Sequence, residues 1–402
     1  MIPCLYLVLL IFGCSEKTPP SPDPIAEGHT YFNLGLNHAQ FRRFPEAISA
    51  YEQAAKLLPD LAQIHYNLAN AFFSLDDLER AEAEYRKAIE LKPDYIEAYY
   101  QLGGIYIRQK KYEQAYAPLG RAVEIHPGHV PSYNALGLLY TRQGDYEKAA
   151  AMYDHALQAD STRTELWYNL GNVQVKRGEQ DAAETAFVKA ISADSTRAGP
   201  YGGLGSLYFE QRRYDEARVV LQRAIELSPF WAKPHYDLGQ VYMRLGERDK
   251  GQVELETFAR LEEEEKMIKS LEFTLLDEKQ NPRRHYDLGV LYGRRQQFDK
   301  AAERYLRSIA LDSSFALAYV NLGNIRFRQH RLDEARNLFV RALAVDSTHA
   351  NAHNSLGNLH MVHQDFSTAV ESFAKALSLE PDNGEFRRNL EIAQGFAAEE
   401  SP

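Results

Sequence analysis

Cysteine is nearly absent from this 402-residue chain: Cys4 and Cys14 are the only two, so no disulfide can form within the body of the protein. Long apolar runs are missing as well. The one marked run, Leu5–Phe12, is far too short to span a bilayer as a helix. A basic excess is lacking, because 46 Lys and Arg face 56 Asp and Glu for a formal charge of −10. That argues against a general nucleic-acid binder, which carries a basic stripe, and against a basic amphipathic membrane helix. Catalytic signatures are missing too: there is no Gly-x4-Gly-Lys-Ser/Thr, no His-Glu-x2-His and no Gly-x-Ser-x-Gly. Carboxylates are abundant, but only on helix faces with nothing to bury them. The expectation is a protein that is not an enzyme and takes no cofactor.

What the chain does have is one short motif at a fixed step. Leu34-Gly35, Leu68-Ala69, Leu102-Gly103, Leu136-Gly137, Leu170-Gly171, Leu204-Gly205 and Leu238-Gly239 are each 34 residues apart. After a gap of 50, Leu288-Gly289, Leu322-Gly323 and Leu356-Gly357 resume the step. A period of this length means a stacked array of supersecondary units. With the first repeat numbered 28–61, position 4 is Tyr31, position 8 Gly35, position 20 Ala47, position 24 Tyr51, position 27 Ala54 and position 32 Pro59. Gly inside a helix costs about 1 kcal/mol relative to Ala, yet nine of ten repeats place it at position 8 and nine place Ala at position 20. Close contact between the two helices of each unit explains both. Pro45 sits at the start of a second helix, and Pro59, Pro93, Pro127, Pro229 and Pro381 follow second helices and stop them. Four repeats use Asp-Ser-Thr or Asp-Ser-Ser instead, at 160–162, 194–196, 312–314 and 346–348, and these polar residues are expected to cap the next helix.

The pattern aromatic-x2-Leu-Gly-x2-Tyr, then Ala, then aromatic-x2-Ala, then Pro, as in Tyr99, Leu102, Gly103, Tyr106, Ala115, Leu119, Ala122 and Pro127, is similar to the tetratricopeptide repeat. The resemblance covers 28–383. It implies an all-α, right-handed superhelical solenoid of about ten helix–turn–helix repeats. In that family, positions 2, 5, 6, 9, 12 and 13 of the first helix line a concave groove. The resemblance therefore implies a peptide-binding groove with Tyr66, Tyr100, Tyr168, Tyr236 and Tyr286 at position 5. Asn33, Asn67, Asn169 and Asn321 stand at position 6, and Asn70, Asn172, Asn324 and Asn358 at position 9. Asn offers a donor and an acceptor, so a ladder of Asn facing solvent can pair with the backbone of an extended peptide. The alternative is that these columns are only the default of the family. The basic clamp that family members use for chaperone tails is absent from repeats one to three, where Phe32, Leu36 and Gln101 stand instead.

The start of the chain, Ile11-Phe12-Gly13-Cys14, resembles the lipobox of bacterial lipoprotein precursors. In that family the bond before the Cys is cut and the Cys is lipidated, which implies a lipid on Cys14. Pro19, Pro20, Pro22 and Pro24 suit an extended tether, and Ser15 directly after the Cys leans towards the outer membrane, facing the periplasm. The organisation expected is a signal peptide at 1–13, a lipidated Cys and tether at 14–27, repeats 1–7 at 28–265, a helical insertion at 266–281, repeats 8–10 at 282–383, and a capping helix and tail at 384–402. The partners expected are proteins or peptides in the groove and a membrane through the lipid, with no nucleic acid. Family members of this layout serve envelope assembly or secretion. A cytosolic adaptor with a stray hydrophobic N-terminus remains the alternative.

Three further features need placing. Phe258, Leu261, Ile268, Leu271 and Leu275 fall near heptad spacing, which predicts one lengthened helix at the insertion, with Glu262–Glu265 as a solvated face and a hinge or protrusion beyond it. His349, His353, His360 and His363 share a helical face, but His also recurs at position 4 as His65, His235 and His285, so packed or edge histidines are expected rather than a metal site. Gly202-Gly203-Leu204-Gly205 lies inside a first helix and marks a locally weak segment, not a phosphate loop.

Overall fold

The computed structural model describes residues 23–400, so the expected signal peptide, Cys14 and most of the tether lie outside the described residues. Everything described is helix or tight turn. The chain divides into two compact units, one ending at Gln211 and one beginning at Arg212.

The first unit comprises α1 (Pro24–Gln40), α2 (Phe44–Leu57), α3 (Ala62–Ser74), α4 (Leu78–Leu91), α5 (Ile96–Arg108), α6 (Tyr112–Ile125), α7 (Val130–Gln143), α8 (Tyr146–Ala159), α9 (Thr164–Arg177), α10 (Gln180–Ala193) and α11 (Ala198–Glu210). The second comprises α12 (Tyr214–Leu227), α13 (Ala232–Arg244), α14 (Arg248–Asp277), α15 (Pro282–Arg294), α16 (Phe298–Leu311), α17 (Ala316–Arg328), α18 (Leu332–Val345), α19 (Ala350–Val362), α20 (Phe366–Leu379) and α21 (Gly384–Glu400). Within each unit every first helix packs on its own second helix, and every second helix on the next first helix. The architecture is an all-α solenoid of about ten paired helix–turn–helix units.

Position 8 is glycine because the side chain at position 24 needs the space, a ring in most repeats and Leu119 or Leu255 against Gly103 and Gly239. A Cβ on Gly289 would lie 2.6 Å from Tyr305, one on Gly171 2.7 Å from Phe187, and one on Gly323 2.5 Å from Phe339. Those rings are the buried position-24 residues of the second helices. Position 20 is fully buried in the same way, as at Ala47, Ala81 and Ala115. The close approach is thus of the position-24 side chain to the position-8 backbone, more specific than the general helix–helix contact read from sequence.

The turn between paired helices has a feature the residue types conceal. Position 15 has positive φ throughout: Gly144, Gly178 and Gly246 adopt it freely, while Arg42, Asp76, Lys110, Arg212, Gln296, His330 and Gln364 adopt it with side chains. Seven non-glycine residues in the left-handed region show that the turn is imposed by packing on both sides.

Second helices end two residues before Pro59, Pro93, Pro127, Pro229 and Pro381. The Asp-Ser-Thr segments act differently from the expectation. Asp160 Oδ1 accepts from the backbone N–H of Thr162 at 3.0 Å and from its hydroxyl at 2.6 Å, closing a local turn. The N-cap of α9 is Arg163, with no side-chain cap. Asp194, Asp312 and Asp346 repeat the arrangement. The aspartate bonds two residues ahead, leaving nothing to reach the helix. The Thr162 hydroxyl, the Arg163 guanidinium and the Thr162 N–H together hold the Asp160 carboxyl down at about 2.

One boundary and the surroundings of the acidic run differ from the reading above. Pro24–Glu27, counted as tether, form the first turn of α1, capped by Asp23 on the N–H of Ile25 at 3.0 Å. The insertion is the lengthened helix that the heptad spacing predicts, the extension of α14 to 30 residues. It packs Ile268 and Leu275 into the same core as Leu288, Leu291 and Tyr292 of α15, which argues against a free hinge. The acidic run is not simply solvated either. Glu264 is buried, and the largely covered side chain of Arg295 reaches Glu264 at 3.6 Å, Glu265 at 2.5 Å and the Leu261 carbonyl at 2.6 Å. Among the described residues no helix is long and apolar enough to cross a membrane.

Candidate functional site

The first-helix face carries the residues named from the sequence, and the structure sorts them into two classes. Most of the tyrosines at position 5 are half-buried and lean on the ring at position 34 of their own repeat. Tyr66 lies 4.9 Å from Tyr95, Tyr100 5.5 Å from His129, and Tyr286 5.1 Å from Phe315 between centroids. Tyr168 instead tilts against Phe187 at 6.1 Å. Tyr236 leans on Phe258 at 5.1 Å, because the long α14 leaves no loop residue at position 34, and it stays 42% exposed. Burial pushes the Tyr286 hydroxyl above the ordinary tyrosine range.

The asparagines are less free than expected. Asn169 Nδ2 donates to Asn134 Oδ1 at 3.3 Å, Asn321 Nδ2 to the Tyr286 hydroxyl at 3.3 Å, and Asn389 Nδ2 to Asn354 Oδ1 at 2.9 Å. Each bond joins position 5 of one repeat to position 6 of the next first helix. The Ser355 hydroxyl donates to Asn324 Oδ1 at 3.0 Å, joining positions 9 and 6 in the same sense. Asn67 donates to the Gln63 carbonyl of its own helix at 2.8 Å. Asn70 accepts from the hydroxyl of fully buried Tyr85. Only Asn33, Asn172 and Asn358 of the ladder have no side-chain hydrogen bond among the described residues, and Asn33 is exposed. The picture of a wholly solvent-facing ladder is therefore corrected. A 34-residue step places amides on adjacent first helices within reach of one another, so the columns brace the stack. Asn70→Ala is expected to cost about 1–3 kcal/mol, the penalty for leaving the Tyr85 hydroxyl unpaired, read as a shift of the denaturant midpoint.

The histidines also have structural duties. Nε2 of His65, His235, His285 and His353 lies 3.0–3.1 Å from the carbonyl six residues earlier: Pro59, Pro229, Lys279 and Ser347. Trp167 makes the same tie to Ser161 at 2.8 Å. In these five repeats position 4 thus fastens the first helix to the loop before it. His65 and His235 also present Nδ1 to Glu84 and Glu254 at 2.6 Å. With acceptors at both ring nitrogens, His65 favours its charged form. The hydrogen bond to Glu84 raises its pKa against burial and the repulsion of Lys87. Its stabilisation is thus full below the unfolded imidazole pKa and lost as pH rises through the higher folded value. Wild type is expected to lose stability relative to His65→Ala as pH rises above the ordinary imidazole range, measured by urea midpoints. His349 occupies the N-cap position of α19 without a side-chain bond and His363 the C-cap position, while His360 pairs with Asp365 at 3.3 Å. No group of three His, Cys, Asp or Glu side chains that could hold a metal is found among the described residues.

The glycine-rich stretch of α11 is continuous helix with a packing role. A Cβ on Gly203 would meet Phe187 at 2.7 Å and one on Gly199 would meet Tyr168 at 3.3 Å. Phe187 is clamped between Gly171 of its own repeat and Gly203 of the next.

Sequence reasoning passed over one site. A cleft of about 530 Å³ opens between α14 and α15, lined by Met267 and Leu271 on one wall and Tyr286, Val290 and Arg294 on the other. Position 13, Arg294, belongs to a column already assigned to the groove; the opposing wall comes from the helix extension.

Models described as tetratricopeptide repeat match residues 32–96, 94–162, 140–198, 286–350 and 320–386, and one described as TPR repeat matches 205–246. No match falls on 247–285, where α14 departs from the pattern. No curated protein matches the chain. Among solved structures, the Pseudomonas aeruginosa pilF protein is 21% identical over 52% of this chain and 96% of its own, with a TM-score of 0.46. YrrB, described as a TPR protein with an unusual peptide-binding site, is 24% identical over 46% and 95%, with a TM-score of 0.42. Yeast Tom70 is 16% identical over 94% and 97%, with a TM-score of 0.31.

Proposed function

Because the chain belongs to the tetratricopeptide repeat family, we propose that it is a scaffold that holds protein or peptide partners against the first-helix faces of its repeats. The observation that carries this reading is that Asn33, Asn172 and Asn358 keep unused amides, and Tyr236 an exposed ring, on first helices whose other ladder asparagines are hydrogen-bonded. A braced surface with a few open donors and acceptors is pre-organised for binding and loses little entropy on contact. The sequence around Cys14 supports a lipid anchor, which would set the scaffold at the periplasmic face of a bacterial membrane, in envelope assembly or secretion. In this reading the lipid holds the protein at the membrane and the repeats do the recognition.

Changing Asn33, Asn172 and Asn358 together to Ala is expected to abolish cross-linked partner capture while leaving helicity unchanged. These three side chains brace nothing, so lost capture would report recognition and not unfolding. Undiminished capture would remove the first-helix face from the function. The anchor has its own test. Labelled fatty acid should enter the full-length chain and disappear with Cys14→Ser; no label in either form refutes it.

A further inference from the structure

We propose that the cleft between α14 and α15 is a recognition site for an extended peptide segment that combines an apolar anchor with a neighbouring carboxylate. The inference deepens the scaffold reading and rests on it. The wall that makes the cleft exists only because α14 runs 30 residues. An ordinary second helix here would end near residue 261, by analogy with the 14-residue α12 and α16, and Met267 and Leu271 would not be present. Their side chains face Tyr286 and Val290 on the first-helix face of the eighth repeat, giving an apolar floor.

Charge complementarity names the occupant. Arg294 lines this cleft and has no carboxylate partner among the described residues. Arg328, at the same position of the next repeat, lies 5.6 Å from the Phe298 ring and likewise has no acidic partner. Arg244, one repeat before, has none either. On the same column Arg108 pairs with Asp76 at 2.9 Å, while Arg142 lies 4.2 Å from the Tyr112 ring and, like Arg294, has no carboxylate partner among the described residues. A cation in the last turn of a helix is favoured by the helix dipole, which accounts for one Arg but leaves its outward hydrogen-bonding fork unused. In a chain of net charge −10, Arg244, Arg294 and Arg328 stand on this column of repeats seven to nine without a carboxylate partner among the described residues. Arg283 is already committed, bonding Asp287 at 2.9 Å, so Arg294 is the guanidinium free to take a bidentate carboxylate at the cleft. A peptide that places Leu, Ile or Phe on the floor and Asp or Glu against Arg294 satisfies both features; a basic or wholly polar segment satisfies neither.

Selection of a displayed random-peptide library on the full chain tests this. The enriched sequences should place Asp or Glu beside an aliphatic or aromatic residue. A labelled peptide from that set should bind about ten-fold or more weaker to Arg294→Glu, lose affinity to Met267→Asp, and bind more weakly as salt is raised. Both positions are exposed, so the fold should survive, and circular dichroism checks that it does. Enriched peptides that bind Arg294→Glu equally well, yet fail on the Asn33, Asn172 and Asn358 triple variant, would overturn the cleft while sparing the scaffold reading. No enriched peptide at all would overturn both. If Arg294→Glu instead converts a dimer to a monomer in sedimentation, the occupant is a second copy and the proposal falls.

Discussion

Replacing Phe187 by Ala is expected to lower the unfolding free energy by about 3–5 kcal/mol, the range for a buried aromatic whose cavity cannot collapse. Phe187 is fully buried. Collapse is blocked because the ring is held between two helix backbones: a Cβ added at Gly171 or Gly203 would lie 2.7 Å from it. Neither backbone can close the gap without moving a whole repeat. The complementary change separates the clamp from simple burial. In the second repeat Ala69 stands where the others have Gly, and Tyr85 of the same repeat is still fully buried, so a ring can yield to one methyl. Gly171→Ala and Gly203→Ala should therefore be tolerated singly, each gaining helix propensity of about 1 kcal/mol against the contact. The double variant should be much worse than the sum, because the ring then has no side to lean towards. Additive behaviour in denaturant titration would contradict the clamp. Since stability in a repeat array is carried by neighbour contacts, hydrogen exchange should quicken in α9, α10 and α11 before it does elsewhere.

Arg295→Ala is expected to cost about 3–5 kcal/mol in the second unit, the usual penalty for stranding a buried charge. The Arg295 and Glu264 side chains are 8% and 6% exposed, and Arg295 also covers the Leu261 carbonyl at 2.6 Å. Removing the guanidinium leaves Glu264 buried with only Arg260, at 3.3 Å and half in solvent, for compensation. A second variant identifies the mechanism. Arg295→Met combined with Glu264→Leu should recover most of the loss, since well-packed apolar groups replace a buried ion pair at little net cost. Thermal unfolding of the three proteins reads both effects. If Arg295→Ala alone is near neutral, the pair is not confined as described and α14 is held by its apolar face only. The same lock fixes the wall of the α14–α15 cleft, so peptide binding there should weaken with Arg295→Ala even though Arg295 does not line it.

Much of the fold was legible in the chain. The 34-residue step, the Leu-Gly pairs, the buried Ala column and the terminating prolines are local and periodic, and they predict paired helices without reference to anything distant. The long helix was legible too, because Leu261, Ile268 and Leu275 recur at heptad spacing and all three are buried. The site was less so. Tyr286 and Asn321 were assigned to neighbouring groove columns and hydrogen-bond each other, but a side chain's column does not say whether it reaches solvent or a neighbour. The Asn169–Asn134 and Asn389–Asn354 bonds depend on the stagger between adjacent first helices. The Asp-Ser-Thr turns misled for a related reason: the same aspartate can cap a helix or close a turn two residues on, and the backbone geometry chooses.

The sequence by itself determined the repeat length, the pairing of helices and which columns face inward, because each follows from helical periodicity within about thirty residues. Only the tertiary structure decided which polar groups remain open for a partner. That outcome turns on distances between residues 31 or 35 apart on different helices, such as Ser355 to Asn324 at 3.0 Å, and on a largely covered arginine gathering an acidic run that looked solvated. Periodicity sets the direction in which a side chain points; packing sets what it meets there.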